Sequence, residues 1–291
     1  MICNHKKELS LQNLFIAVLF FVFFDTPAQD CGVFVPRSSS GFGGVSGGFF
    51  QSSRFISYPY VREADVMWMK RYWRVLDLRE KINHNYFYPI EPIAGRQNLA
   101  TCLLNALCSG EAVAYSPVDD EFSIQLTRAE IIGSTSSKDT IYIDNEFGSA
   151  VPQLIVNSFE PSSVKRIRLK EDWIFHNGRS TLEKRIIGIC PVMEKFDENG
   201  EYKGEMPLFW IYFPSVRGLL KSQSVQNFHN VGQPFNYDRL LQMRYFSSYI
   251  YKRSNVYDRK IDTYKTGIDA LLEGEKFEIE LFNLEQDLWE Y

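Results

Sequence analysis

The sequence predicts an α+β fold: N-terminal helices, a central antiparallel β-meander and C-terminal helices. Three observations carry this reading. Apolar residues recur at spacings of three and four towards both ends of the domain. Residues 164–175 alternate apolar and charged side chains, as a half-buried strand does. Asn-Gly pairs then punctuate the middle of the chain, where hairpins need positive backbone φ. Helices at both ends of consecutive antiparallel strands define the class.

Each element follows from its local pattern. Across residues 62–82, Val66, Met69, Trp73 and Leu76 fall at spacings of 3, 4 and 3, which predicts a helix with Arg71, Arg74, Asp77 and Glu80 off its apolar stripe. The run HNYFYPIEP within residues 83–92 ends it. A second helix is expected over 97–109, with Leu99, Leu103, Ala106 and Leu107 inward and Gly110 as its stop. Residues 111–156 read as short strands, 112–115 and 140–143, between polar turns. In 164–175, Ile167, Leu169, Trp173 and Phe175 share one face, and Arg166, Arg168 and Lys170 share the other. His176-Asn177-Gly178 makes the turn into a return strand at 181–196, and Asp197-Glu198-Asn199-Gly200 makes the next. Pro191 implies a bulge or an edge within that strand. The run LFWIYF at 208–213 is apolar on both faces and is expected to be the most buried strand. Two helices close the chain. The first, 237–251, carries Leu240, Leu241, Arg244, Tyr245, Ser248 and Tyr249; the second, 271–289, carries Leu272, Phe277, Leu281, Leu284 and Leu288.

The N-terminus sets the compartment. Lys6 and Lys7 precede the apolar run LFIAVLFFVFF at residues 14–24, and Thr26 and Ala28 end it in a small-x-small pattern, the layout of a secretory signal peptide over residues 1–28. Eleven apolar residues are too few to span a bilayer. Asp30 beside Cys31 argues against acylation. Residues 29–57 form a Gly/Ser-rich leader interspersed with Phe42, Phe49 and Phe50, and residues 58–291 form the folded domain. A phosphate-cradling role for the leader glycines needs a preceding strand and a following helix, and the sequence has neither there.

Composition excludes several functions. With 32 Lys and Arg against 36 Asp and Glu, the net charge of −4 does not suit a nucleic-acid binder. Export leaves Cys31, Cys102, Cys108 and Cys190, an even number compatible with disulfides. A helix at 97–109 excludes the Cys102–Cys108 pairing and leaves the others open. His84, His176 and His229 stand far apart in turn-like contexts, without metal-ligand spacing, and read as solvent-facing. His176 and Cys190 flank one hairpin, but the thiol lies in an aliphatic strand, where cysteine ordinarily serves as a small buried hydrophobe. No nucleophile elbow, zinc-protease motif or P-loop occurs, so no catalytic, cofactor or metal residue is assigned. Two sets are candidate interface residues: the first could meet a phosphate or lipid headgroup, and the second has the Tyr-plus-Arg composition of a protein interface. One is the basic face Arg166, Arg168 and Lys170, which acids such as Glu183 and Glu194 are expected to neutralise across the hairpin. The other is Phe246, Tyr249, Tyr251 and Tyr257 with Arg244, Lys252 and Arg253.

Six blocks carry a family resemblance. They are VREADVMWMKRYWRVLDLREKINH (61–84), VKRIRLKEDWIF (164–175), RIIGICPV (185–192), PLFWIYFP (207–214), SSYIYKRSNVYDRKI (247–261) and DALLEGEK (269–276). Read in order, they closely resemble the GldN/PorN family of the type IX secretion and gliding-motility machinery of Bacteroidota. The resemblance implies a periplasmic, non-enzymatic structural component at the inner face of the outer membrane, with no membrane span and no cofactor. Its implied partners are a GldK/PorK-like outer-membrane lipoprotein, further copies of itself in a large ring, and a GldM/PorM-like periplasmic motor domain. The resemblance runs in register over roughly residues 60–291 and is weakest in segment 110–160 and in the leader. Two other classes stand beside it: a monomeric periplasmic module binding glycan or lipid, and a secreted hydrolase.

Overall fold

The computed structural model describes residues 56–135, 137–144, 150–157, 159–196, 201–226 and 235–288. In chain order the elements are β1 (Val66–Asp77), α1 (His84–Phe87), α2 (Leu99–Ser109), β2 (Ala114–Tyr115) and α3 (Arg128–Thr135). Next come β3 (Ser137–Asp144), β4 (Ala150–Asn157), β5 (Val164–His176), β6 (Thr181–Phe196), β7 (Tyr202–Pro207), β8 (Trp210–Tyr212) and α4 (Phe213–Ser222). The chain continues through β9 (Ser224–Val225), β10 (Phe235–Asn236), α5 (Tyr237–Gln242) and β11 (Tyr249–Arg253) to α6 (Ile268–Asp287). Helices and an antiparallel sheet share the molecule, which is therefore α+β.

The principal sheet has seven strands in the order β11-β1-β5-β6-β8-β2, with β7 also paired to β6. Its spine is the β5–β6 hairpin at the Asn-Gly turn, in register from Val164↔Met193 to His176↔Thr181. The expected alternation of β5 holds. Ile167 and Leu169 join the large core, where α2 contributes Leu99 and Leu103, α4 contributes Phe213 and Leu220, and α5 contributes Leu240 and Leu241. Farther along the same face, Tyr72, Trp173 and Ile250 pack against Phe277 and Leu281 of α6. Trp73, Cys190 and Trp210 form a smaller cluster with Phe122 and Tyr251. Trp73 and Cys190 point to the opposite face, since strand side chains alternate.

The helix at 97–109 is present as α2, with the Asn98 side chain accepting from the Thr101 N–H and Gly110 closing it at φ 78°. Three elements differ from expectation. Residues 62–82 contain strand β1, not a helix, because both faces of Tyr72–Leu76 are buried and a doubly buried strand shows no period of two. Its Trp68, Tyr72, Trp73 and Val75 are strand-favouring types, and β1 is held between β5 and β11. The expected helix at 237–251 stops at Gln242: Arg244 takes φ 54°, and the Tyr-Ile-Tyr run becomes the edge strand β11. The run at 208–213 is deeply buried except for Tyr212, yet only Trp210–Tyr212 is strand. Pro214 then starts α4, where its missing N–H and fixed φ are tolerated.

Pro191 marks the irregularity it implied. On one side β6 pairs with β8 up to Ile189 and with β7 from Val192, so the proline sits where the partner changes. The turn expected at 197–200 lies outside the described residues, as do the expected signal peptide, the expected leader up to residue 55, and His229.

Candidate interaction site

Six of the ten residues singled out from sequence come together. Arg166, Arg168 and Lys170 project from β5 onto the face bearing Trp73, and Lys252 pairs with Trp73 across β1–β11. Tyr249 stands opposite Val75, and the register shift between Trp73 and Arg74 leaves Tyr251 as the extra, bulged residue of β11. Two stretches almost 80 residues apart thereby form one basic–aromatic surface. Arg166, Arg168, Tyr249 and Tyr251, with Glu205 and Leu271, line a cleft of about 470 Å³ at its edge.

The charges on this surface are neutralised, through acids other than the expected ones. Arg166 pairs with Glu205 and lies 3.6 Å from Asp77, and Arg168 lies 3.5 Å from Glu205. Glu194 instead meets Arg79 at 3.2 Å, and Glu183 meets Arg185 at 2.5 Å. Lys170 is buried; its ammonium donates to the Asp120 carbonyl and stands 5.2 Å from the Phe122 ring. Burial pulls its pKa below the ordinary lysine value, against the attraction of Asp120. Lys252 lies over Trp73 at 4.3 Å and pairs with Asp258 at 2.8 Å. Arg168 covers the Tyr251 ring at 5.3 Å, and burial raises the phenol's pKa although that guanidinium opposes it.

The remaining four residues lie elsewhere. Arg244 is an internal counter-ion, 2.8 Å from Glu171. Phe246 packs against the large core. Arg253 pairs with Glu280 of α6 at 2.6 Å and covers Phe277 at 3.8 Å. Tyr257, with Val256 beside it, stands exposed in the loop after β11.

The structure adds residues that periodicity did not single out. Glu171 is fully buried between Arg74 at 3.3 Å and Arg244, accepts from the Trp173 indole at 3.1 Å, and is linked through Arg74 to Glu278 of α6. Alternation placed Glu171 on the apolar face of β5, which was the available signal. On α6, Leu272 and Leu288 are exposed, whereas Phe277 and Leu281 are buried.

The thiol and imidazole considered for chemistry are distant. His176 and Cys190 stand eight residues apart along β5–β6 register, roughly 26 Å at about 3.3 Å per residue. Burial lifts the Cys190 thiol to about 12, which keeps it protonated. His176 is buried rather than solvent-facing: its Nδ1 accepts from the Arg179 N–H and its Nε2 lies 3.9 Å from Asp65. Among the described residues no group of three or more His, Cys, Asp or Glu is placed to hold a metal. Cys102 and Cys190 are free and buried, and Cys108 is disulfide-bonded.

The family model described as "Gliding motility associated protein GldN" matches residues 61–290. The chain matches no curated protein at a significant level.

Proposed function

Because the chain belongs to the GldN family of gliding-motility-associated proteins, we propose that it is a periplasmic structural component of type IX secretion and gliding machinery. In this reading it assembles with a GldK/PorK-like outer-membrane lipoprotein, and with copies of itself, into a ring beneath the outer membrane. A GldM/PorM-like periplasmic motor domain engages that ring. The match over 61–290 carries the proposal. Two features support it: the expected signal peptide and the basic–aromatic surface. Among the described residues, no helix is long and apolar enough to cross a membrane.

A ring that closes uses heterologous contacts, so each subunit needs two complementary faces. We assign one to the cleft of Arg166, Arg168, Tyr249 and Tyr251 together with the exposed loop of Val256 and Tyr257. Arg and Tyr around a concave site, rimmed by an exposed aromatic, is the composition of an interface anchor. Complementation with Tyr257→Ala and Tyr249→Ala tests the assignment. Both variants are expected to fold and accumulate, while spreading and cargo secretion fall. Wild-type spreading and secretion from the double variant would remove this surface from the account.

A further inference from the structure

A helix that buries one stripe against its own sheet ordinarily turns polar residues outward. α6 does not. Its inward stripe is Ala270, Gly274, Phe277 and Leu281. Ile268, Leu271, Leu272, Ile279 and Phe282 fall within an arc of about 100° on the opposite side, and each is 52–75% exposed. The stripe is about 21 Å long at 1.5 Å per residue. Isolated exposed apolar side chains are ordinary, but five in one continuous stripe mark a docking surface.

Charge narrows the occupant. Seven acids and one lysine lie on α6. Glu273, Glu278, Glu280 and Glu285 pair with Lys265, Arg74, Arg253 and Lys184. Glu275, within the exposed stripe, and Asp269 and Asp287 at its margin make no direct ion pair among the described residues. An apolar surface bearing uncompensated acids fits an apolar segment that is basic. It disfavours a second α6, which would bring like charges together.

The chain contains such a segment. Residues 32–55 hold Phe34, Phe42, Phe49, Phe50 and Phe55, with Arg37 and Arg54 and no acid. This segment runs directly into Ile56–Tyr60, whose backbone is tied to α4 and β6. Arg217 donates to the Ile56 carbonyl at 2.6 Å, and Arg185 donates to the Pro59 carbonyl at 2.7 Å. Phe49 and Phe50 precede Ile56 by seven and six residues, a reach of up to about 20–25 Å, comparable with the length of the stripe.

We propose that residues 32–55 dock on the outer face of α6, seating phenylalanines on Ile268, Leu272, Ile279 and Phe282 while the arginines meet Glu275 and its flanking acids. Contact within one chain and contact with the α6 of a neighbouring copy use the same chemistry. The inference does not depend on the proposed ring.

The test places p-benzoylphenylalanine at position 272 of the exported full-length chain. Light should crosslink it to peptides from residues 32–55, within one chain or between two. Phe42→Ser, Phe49→Ser and Phe50→Ser together should abolish that crosslink while the circular dichroism of the folded domain stays that of the wild type. Crosslinks to the α6 of a second copy, to lipid or to another protein instead, or no crosslink at all, would overturn the proposal. So would persistence of the 32–55 product in the triple variant.

Discussion

Gly274 sits where α6 crosses the edge strand β11, and a Cβ built on it would lie 2.6 Å from the backbone oxygen of Ile250. In an ordinary helix interior, Gly→Ala stabilises by about 1 kcal/mol. Here the clash is with backbone, so α6 must move outward by roughly 0.7 Å to restore van der Waals contact. A gap of that size forfeits about a quarter to a half of the contact energy of the side chains it separates. Phe277 and Leu281 are each 3% exposed beneath the helix, and burying two such side chains is worth about 5 kcal/mol. The loss is therefore about 1–2.5 kcal/mol. Set against the propensity gain, Gly274→Ala should leave the protein roughly 0–1.5 kcal/mol less stable. Asn283→Ala, on the exposed side of the same helix, is the control and should stabilise by a few tenths of a kcal/mol. Denaturant unfolding followed by circular dichroism measures both. A Gly274→Ala protein more stable than wild type by the full helix-propensity increment would refute the close approach of α6 to β11.

Three further outcomes follow from the buried polar groups. Glu171→Gln breaks a buried pair with Arg74 and Arg244 and should destabilise by about 3 kcal/mol; a loss below about 0.5 kcal/mol in the same unfolding assay would contradict the network. Burial raises the pKa of Tyr58, Tyr86, Tyr237 and Tyr251, and that of Tyr72 to about 12. The unfolded chain thus loses these protons first, so their stabilisation is complete below about pH 10. It fades as pH rises towards the folded values. Absorbance at 295 nm should show this group titrating late and together with unfolding, whereas one smooth titration near pH 10 would count against their burial. Cys102 and Cys190, both lifted to about 12 by burial, should resist a water-soluble thiol reagent until denaturant is added. Rapid labelling of the native protein would contradict that.

How far the sequence could be read follows from which residues carry an unambiguous period. β5 was legible because one of its faces meets the apolar core and the other carries Arg166, Arg168 and Lys170. α2 was legible through its apolar stripe and Gly110. β1 was not, because burial on both sides erases alternation and leaves Val66, Met69, Trp73 and Leu76 to mimic a helical stripe. The helix read through 237–251 failed for a local reason: nothing in the periodicity signals the left-handed backbone of Arg244 that ends it. For the surface, composition singled out the right residue types, and the β1–β11 register brought Tyr249, Tyr251 and Lys252 beside the basic face of β5. It did not show that Arg244 is the counter-ion of the buried Glu171 or that Arg253 pairs with Glu280 on the surface of α6, since both acids are distant from them in sequence. The outward apolar stripe of α6 was hidden by a second, inward one on the same helix.

The most direct test of the structural role is isolation of the chain from its own cell envelope in mild detergent, followed by sizing and negative-stain imaging. The account predicts a large annular assembly in which the chain accompanies one dominant outer-membrane lipoprotein. A lone single-chain particle, free of lipoprotein under the same conditions, would contradict it.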